Sequence, residues 1–185
     1  NSKSDAEIKY TLLRMLALCI NIYGKTEIAK DDVVTFLDSV KSNIAISYIS
    51  KANIEDLYDR ALLIPNENSV QFFNTEIQEF LASKEVIHLG KASQILFDVA
   101  YDSNLNEFKP FWKNTIKFII EQEISVQSDL IDFMLRRFSS LDYSLLQLVL
   151  CDNTWTINSI SGNTKDATFK SILKYYCDNQ WLLGY

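Results

Sequence analysis

Four glycines and two prolines among 185 residues leave little material for tight turns. Sandwiches and barrels need turn residues at every hairpin, so β-rich architectures are excluded and long loops are disfavoured. Histidine is almost missing. His88 stands alone, and with three scattered cysteines it cannot assemble a recognisable zinc site. Cys19, Cys151 and Cys177 are odd in number and form no CxxC pair, which fits reduced thiols in a cytoplasmic protein better than a disulfide framework. Positive charge is in deficit as well: 18 Lys and Arg against 24 Asp and Glu give a net charge of −6. Phosphate neutralisation by Lys and Arg dominates nucleic-acid affinity, and anionic membrane surfaces draw on the same charges, so both partner classes are excluded as the main function. No apolar run approaches the ~18 residues of a membrane span. The densest stretch, 12–23, is interrupted by Arg14 and Asn21. The first ten residues hold Lys3, Asp5, Glu7 and Lys9 rather than the apolar core of a signal peptide. With no initiator Met, Asn1 reads as a cut inside a longer protein.

What is present is an ordinary globular composition, 48% hydrophobic and 23% charged, with helical patterning along most of the chain. The spacing predicts a largely buried helix over 6–23, stopped by Gly24. A second helix over 31–42 carries Asp31 and Asp32 in its first turn. Residues 43–50 alternate weakly and could form a short strand. Asn53 is the expected cap of a helix running to about 62. Pro65 and the Asn66–Asn68 turn residues then predict a β-hairpin over 62–73. Asn74 is the expected cap of a helix reaching about Leu89, with Gly90 as its stop. Helices are expected beyond it at about 92–101, 109–122, 126–138, 141–151 and 165–182, with a polar loop over 152–163 pinned by Trp155. The expected fold is mainly α: a winged-helix-like module with a small β-hairpin over 1–90, followed by a helical bundle over 91–185.

Candidate chemistry is sparse. His88 reads as a helix-end residue. Glu76 and Glu79, three apart on one helix face, could do acid–base work but suit the macrodipole of a helix start better. Lys109, Lys113 and Lys117 recur every four residues and read as a solvated face. The helix that would enter a DNA groove carries Lys51 and Arg60 against Glu55, Asp56 and Asp59, a balance that speaks against major-groove binding. No GxxxxGK[ST] run is present, so the chain has no phosphate-cradling loop of its own.

The stretch FFNTEIQEFLASKEV, 72–86, resembles the end of the winged-helix domain in STAND-class signalling NTPases, particularly the NACHT branch. The matching residues are Phe72, Gln78, Glu79, Phe80, Leu81, Ala82 and Ser83. The preceding IEDLYDRALLIPNENSVQFF is similar to that family's lead-in of helix, leucine pair and short hairpin. Residues 98–123 are similar to the helical domain that follows. The family often places a nucleotide-sensing histidine four residues before the glutamine, where this chain has Asn74. An amide can donate a hydrogen bond there but carries no imidazolium charge. The resemblance implies a non-catalytic regulatory segment, autoinhibitory or oligomerising, of a bacterial-type ATPase in defence signalling. ATP or ADP and Mg would be bound by the parent protein and no cofactor by this segment. The implied partners are the upstream ATPase core of the same chain and a protein partner or a self-oligomer. Gln78 and Glu79 would anchor their helix by hydrogen bonds. The competing expectation is a stand-alone helical scaffold that takes a protein partner in a groove.

Overall fold

The computed structural model describes residues 4–41, 51–105 and 107–123, together with the single positions 126, 129, 166 and 170. The expected strand over 43–50, the helices after 126 and the loop over 152–163 with Trp155 lie outside the described residues. The chain divides into two compact units, Asn1–Gly90 and Lys91–Tyr185.

The first unit begins with α1, Asp5–Tyr23. Ser4 accepts from the Glu7 backbone N–H at 3.3 Å, and the Glu7 carboxylate accepts from the Ser4 N–H at 2.8 Å. This reciprocal capping box satisfies two of the donors that every helix start leaves unpaired. Leu12, Leu16, Ala17 and Ile20 are fully buried, and each buried leucine or isoleucine contributes roughly 1.5–3 kcal/mol of transfer free energy. Gly24 ends the helix at φ 65°, in the left-handed region. Its N–H and that of Lys25 donate back to Asn21 and Ile20 carbonyls and close the last turn.

A short strand that sequence patterning missed follows: β1, Glu27–Ala29. Three residues are too few for an alternation signal, and its pairing partner lies 40 to 44 residues away. Next come α2, Lys30–Lys41, and α3, Lys51–Asp59. Helix α3 begins earlier than the expected 53, so Asn53 lies inside the helix and is not its cap. Asp59 is its last residue, and Ala61 behind it adopts φ 55° while Leu62 N–H donates to Leu57 O at 3.0 Å. A side chain in that conformation is strained. Local sequence therefore did not announce the stop, which a glycine would have done.

The expected hairpin is present as β2, Leu63–Pro65, and β3, Ser69–Phe72. The three-stranded antiparallel sheet has the order β1-β3-β2, with Glu27 opposite Gln71 and Leu63 opposite Phe72. Pro65 sits on an edge strand, where its missing N–H costs no ladder bond. Polar side chains fix the register. Ser69 Oγ donates to Glu27 Oε2 at 2.5 Å, and Lys30 Nζ donates to Glu67 O at 2.9 Å, which ties β1 to the hairpin tip. Ile28, Leu63, Val70 and Phe72 bury the inner face against the helices. The order helix, strand, helix, helix, strand, strand is that of a winged helix.

Helix α4, Thr75–His88, follows the hairpin directly. In the second unit the expected helix over 92–101 is present as far as Ala100, although its second half is π-helical. Helix α5, Ala92–Ile95, passes into a π-helical turn, Leu96–Ala100, and then into a two-stranded ribbon. Its strands β4, Tyr101–Asp102, and β5, Glu107–Phe108, pair antiparallel. Asp102 Oδ1 accepts from the N–H groups of Asn104 and Leu105, an Asx turn that chain periodicity does not reveal. Pro110 opens a 3₁₀ turn, Pro110–Trp112, and α6 occupies Lys113–Gln122. Trp112, Ile116 and Ile119 are fully buried.

Candidate functional site

The residues singled out by sequence converge on α4, and its two faces differ in chemistry. Asn74 starts it. Its backbone is extended, φ −144° and ψ 123°, and Oδ1 accepts from Glu76 N–H at 2.7 Å and from Ile77 N–H at 3.3 Å. This commits the carbonyl end of the amide to capping and leaves Nδ2 at an exposed position. Glu76 lies in the first turn and His88 in the last, each favourable to the helix dipole.

The inner face of α4 packs on α1. Strand β1 follows α1 and pairs with β3, which feeds α4. Ala82 and Ser83 are fully buried there, and small side chains let the two backbones approach closely. Phe72, at the end of β3, is buried, and so is Leu81. Gln78 is only 1% exposed, yet its Nε2 has no hydrogen-bond partner. The anchoring by hydrogen bonds that the resemblance implied is therefore not made by that nitrogen. Glu79 is half-buried.

One ion pair crosses this helix–helix seam. Arg14 Nε approaches Glu85 Oε2 at 3.3 Å, with side chains 12% and 8% exposed. Neither atom is aligned for a hydrogen bond, so the contact is coulombic. The Arg14 guanidinium also lies 5.0 Å from the centre of the Tyr10 ring. Burial, with a smaller contribution from the Glu85 charge, pushes the Cys19 thiol up and away from thiolate. Arg14 stood out in the sequence only as an interruption of an apolar run, and its pairing with Glu85 was not legible there, because it depends on how α1 and α4 meet.

The outer face is different. Ile77 and Phe80 are 38% and 37% exposed, and Phe73, just ahead of the helix, is 48% exposed. Phe80 belongs to the motif that the resemblance singled out, but it faces outward, with Lys84 Nζ 5.1 Å from its ring centre.

Elsewhere the candidates separate. Lys109 Nζ donates to Val99 O at 2.8 Å and closes the π-helical turn, so its charge is engaged locally rather than offered to a partner. Arg60 Nε donates to Asp56 Oδ2 at 2.8 Å, and the same carboxylate lies 2.7 Å from Lys9 Nζ on α1. Arg60, just past the end of α3, is thereby held by an acid rather than offered to phosphates. Among the described residues no group of three or more His, Cys, Asp or Glu is placed to hold a metal ion, and no helix is long and apolar enough to cross a membrane. No family model, curated protein or solved structure matches the chain.

Proposed function

We propose that this chain is a non-catalytic regulatory segment of a NACHT-type STAND ATPase, acting in cytoplasmic defence signalling. What carries the reading is the junction at Phe72–Ala82. A winged-helix hairpin ends in an aromatic and feeds, through Phe73 and the capping Asn74, a helix whose Gln78, Leu81 and Ala82 are buried while Phe80 faces outward. The segment would work as one side of a two-state packing interface whose balance nucleotide and trigger both bias. ATP or ADP with Mg would be held by a P-loop core in the same polypeptide, since this chain has no such loop. Asn74 is the one residue here at the family's sensor position. Its Oδ1 is engaged by the cap, so only its amide hydrogens are suited to a phosphate oxygen, and charge stabilisation would have to come from the core.

The test has two stages. The coding sequence that contains this chain should encode a GxxxxGK[ST] loop upstream of Asn1. In the protein containing both, removal of residues 1–90 should release retained ADP and produce assembly without a trigger, read by nucleotide content after purification and by light scattering. A polypeptide without a P-loop, or one whose nucleotide content and assembly ignore the deletion, overturns the reading and favours the interaction scaffold.

A further inference from the structure

Helix α4 is anchored in the first unit by fewer apolar side chains than α1. Of the eight residues that α1 buries, six are apolar. Of the six that α4 buries, Leu81, Ala82 and Val86 are apolar, whereas Gln78, Ser83 and Glu85 are not. Two of these polar groups are poorly matched in the packed state. Gln78 is 1% exposed and its Nε2 has no hydrogen-bond partner. A donor buried in that way has lost its water without a replacement, so any conformation that returns it to solvent is favoured by the full desolvation penalty. Glu85 meets Arg14 at 3.3 Å without an aligned hydrogen bond, so their attraction offsets less of the hydration that each charge gave up. Both ends of α4 leave the helix abruptly. Asn74 enters it with an extended backbone, φ −144°, and Gly90 lies just beyond it at φ 73°, a conformation that glycine adopts without strain.

We propose that the seam between α1 and α4 is a conformational switch: α4 separates from α1 between Asn74 and Gly90 while the sheet β1-β3-β2 stays folded, and the open state returns Gln78, Glu85 and Arg14 to water. The sheet does not share the weakness of the seam. Its inner face of Ile28, Leu63, Val70 and Phe72 is apolar and buried, and the bonds from Ser69 to Glu27 and from Lys30 to Glu67 O hold its strands in register. Elements that bury few apolar side chains open at the low end of a protein's range of local stabilities, and α4 is such an element. Once released it does not persist as a helix, because 14 residues are marginal in water without a surface to pack on. Cys19 supplies a reporter on the opposite side of the seam: it is partly buried on α1 and feels the charge of Glu85. The switch names a moving element for a two-state interface but does not depend on the ATPase reading. Its test contains no nucleotide, so the failure of one leaves the other standing.

The experiment measures thiol labelling and amide hydrogen exchange on the full chain in increasing, sub-denaturing urea. Cys19 is read by mass spectrometry of its own peptide, since the chain has three cysteines. In wild type, Cys19 should label through an opening whose urea slope is less than about half that of global unfolding followed by circular dichroism. The amides of residues 81–86 should exchange through the same shallow opening, while those of β3 keep the full slope. Gln78→Met retains the length of the side chain and removes the orphan donor, so it should slow Cys19 labelling about tenfold. Gln78→Leu is a second apolar replacement should methionine pack badly, and slowing by either variant, folded by circular dichroism, supports the switch. Labelling that follows the global slope at every urea concentration overturns the proposal. So does shallow labelling without exchange of α4 amides, or labelling that neither variant slows, which is the pattern of a fraying α1 end.

Discussion

Asn74 has the clearest duty of any single residue in the chain. Its amide oxygen accepts two of the four N–H groups that the start of α4 would otherwise leave to water. Asn74→Ala should lower unfolding stability by about 1 kcal/mol, read as a shift of the urea midpoint at unchanged slope, and Asn74→Asp should retain most of it. An alanine variant as stable as wild type would mean that the cap is dispensable. This residue was legible from sequence because capping is local: a short polar acceptor, an extended backbone and a helix just beyond it. Asn53 shows the limit of the same reasoning. It has the right side chain, but α3 begins before it, because burial of Ile54 and Leu57 on the core decides where that helix runs. Ser4 was the reverse case, a capping box present in the letters S-x-x-E and passed over beside the stronger apolar signal of α1.

At the scale of elements, the contact of α1 with α4 organises the first unit. Its seam is mostly apolar and close-packed around Ala17, Ala82 and Val86, with the Arg14–Glu85 pair set into it. An ion pair so shielded is costly to break, because the surviving charge has nothing to solvate it. Arg14→Ala should therefore destabilise by roughly 3 kcal/mol, whereas Arg14→Met combined with Glu85→Leu should recover most of that loss. Thermal and urea unfolding of the single and double variants check both halves. A single variant within about 0.5 kcal/mol of wild type would show the pair to be stabilisation-neutral. In the second unit, a ribbon of β4 and β5 follows the helical residues 92–100, where sequence patterning gave no strand. The π-helical turn before it is closed by Lys109 through both its backbone N–H, to Ala100 O at 2.8 Å, and its side chain. Neither partner is within helical reach of Lys109, so periodicity could not have found the arrangement.

For the first unit as a whole, stability should depend on pH through the link between α1 and α3. Lys9 is held by Asp5 on its own helix and by Asp56 on α3. The Lys9 hydrogen bond, with help from Arg60, holds the Asp56 carboxyl below its ordinary value of 3.8 despite partial burial. A depressed acid contributes stability that is complete above the ordinary carboxylate pKa and is lost as pH falls through the lower folded value. Lys9 works in the opposite sense. The Asp5 and Asp56 carboxylates raise it above 10.5, so its contribution persists through neutral pH and disappears only as pH climbs past that raised value. Melting temperature followed from about pH 6 to about pH 2 should fall for wild type, and Asp56→Asn should start lower and fall less steeply. Parallel curves for the two proteins would remove this link from the account.

Composition and local chemistry were enough to determine a mainly helical chain with one small hairpin and an asparagine-started helix. Scarce glycine and proline exclude repeated tight turns, and caps, stops and the Pro65–Asn66 turn act within a few residues of themselves. Tertiary structure alone decided the third strand, the register set by Glu27 and Ser69, the burial of Arg14 against Glu85, and the outward face of Phe80. Each of these pairs residues far apart in the chain. Their free energy exists only once α1, the hairpin and α4 share one core, so no short stretch of sequence carries its signature.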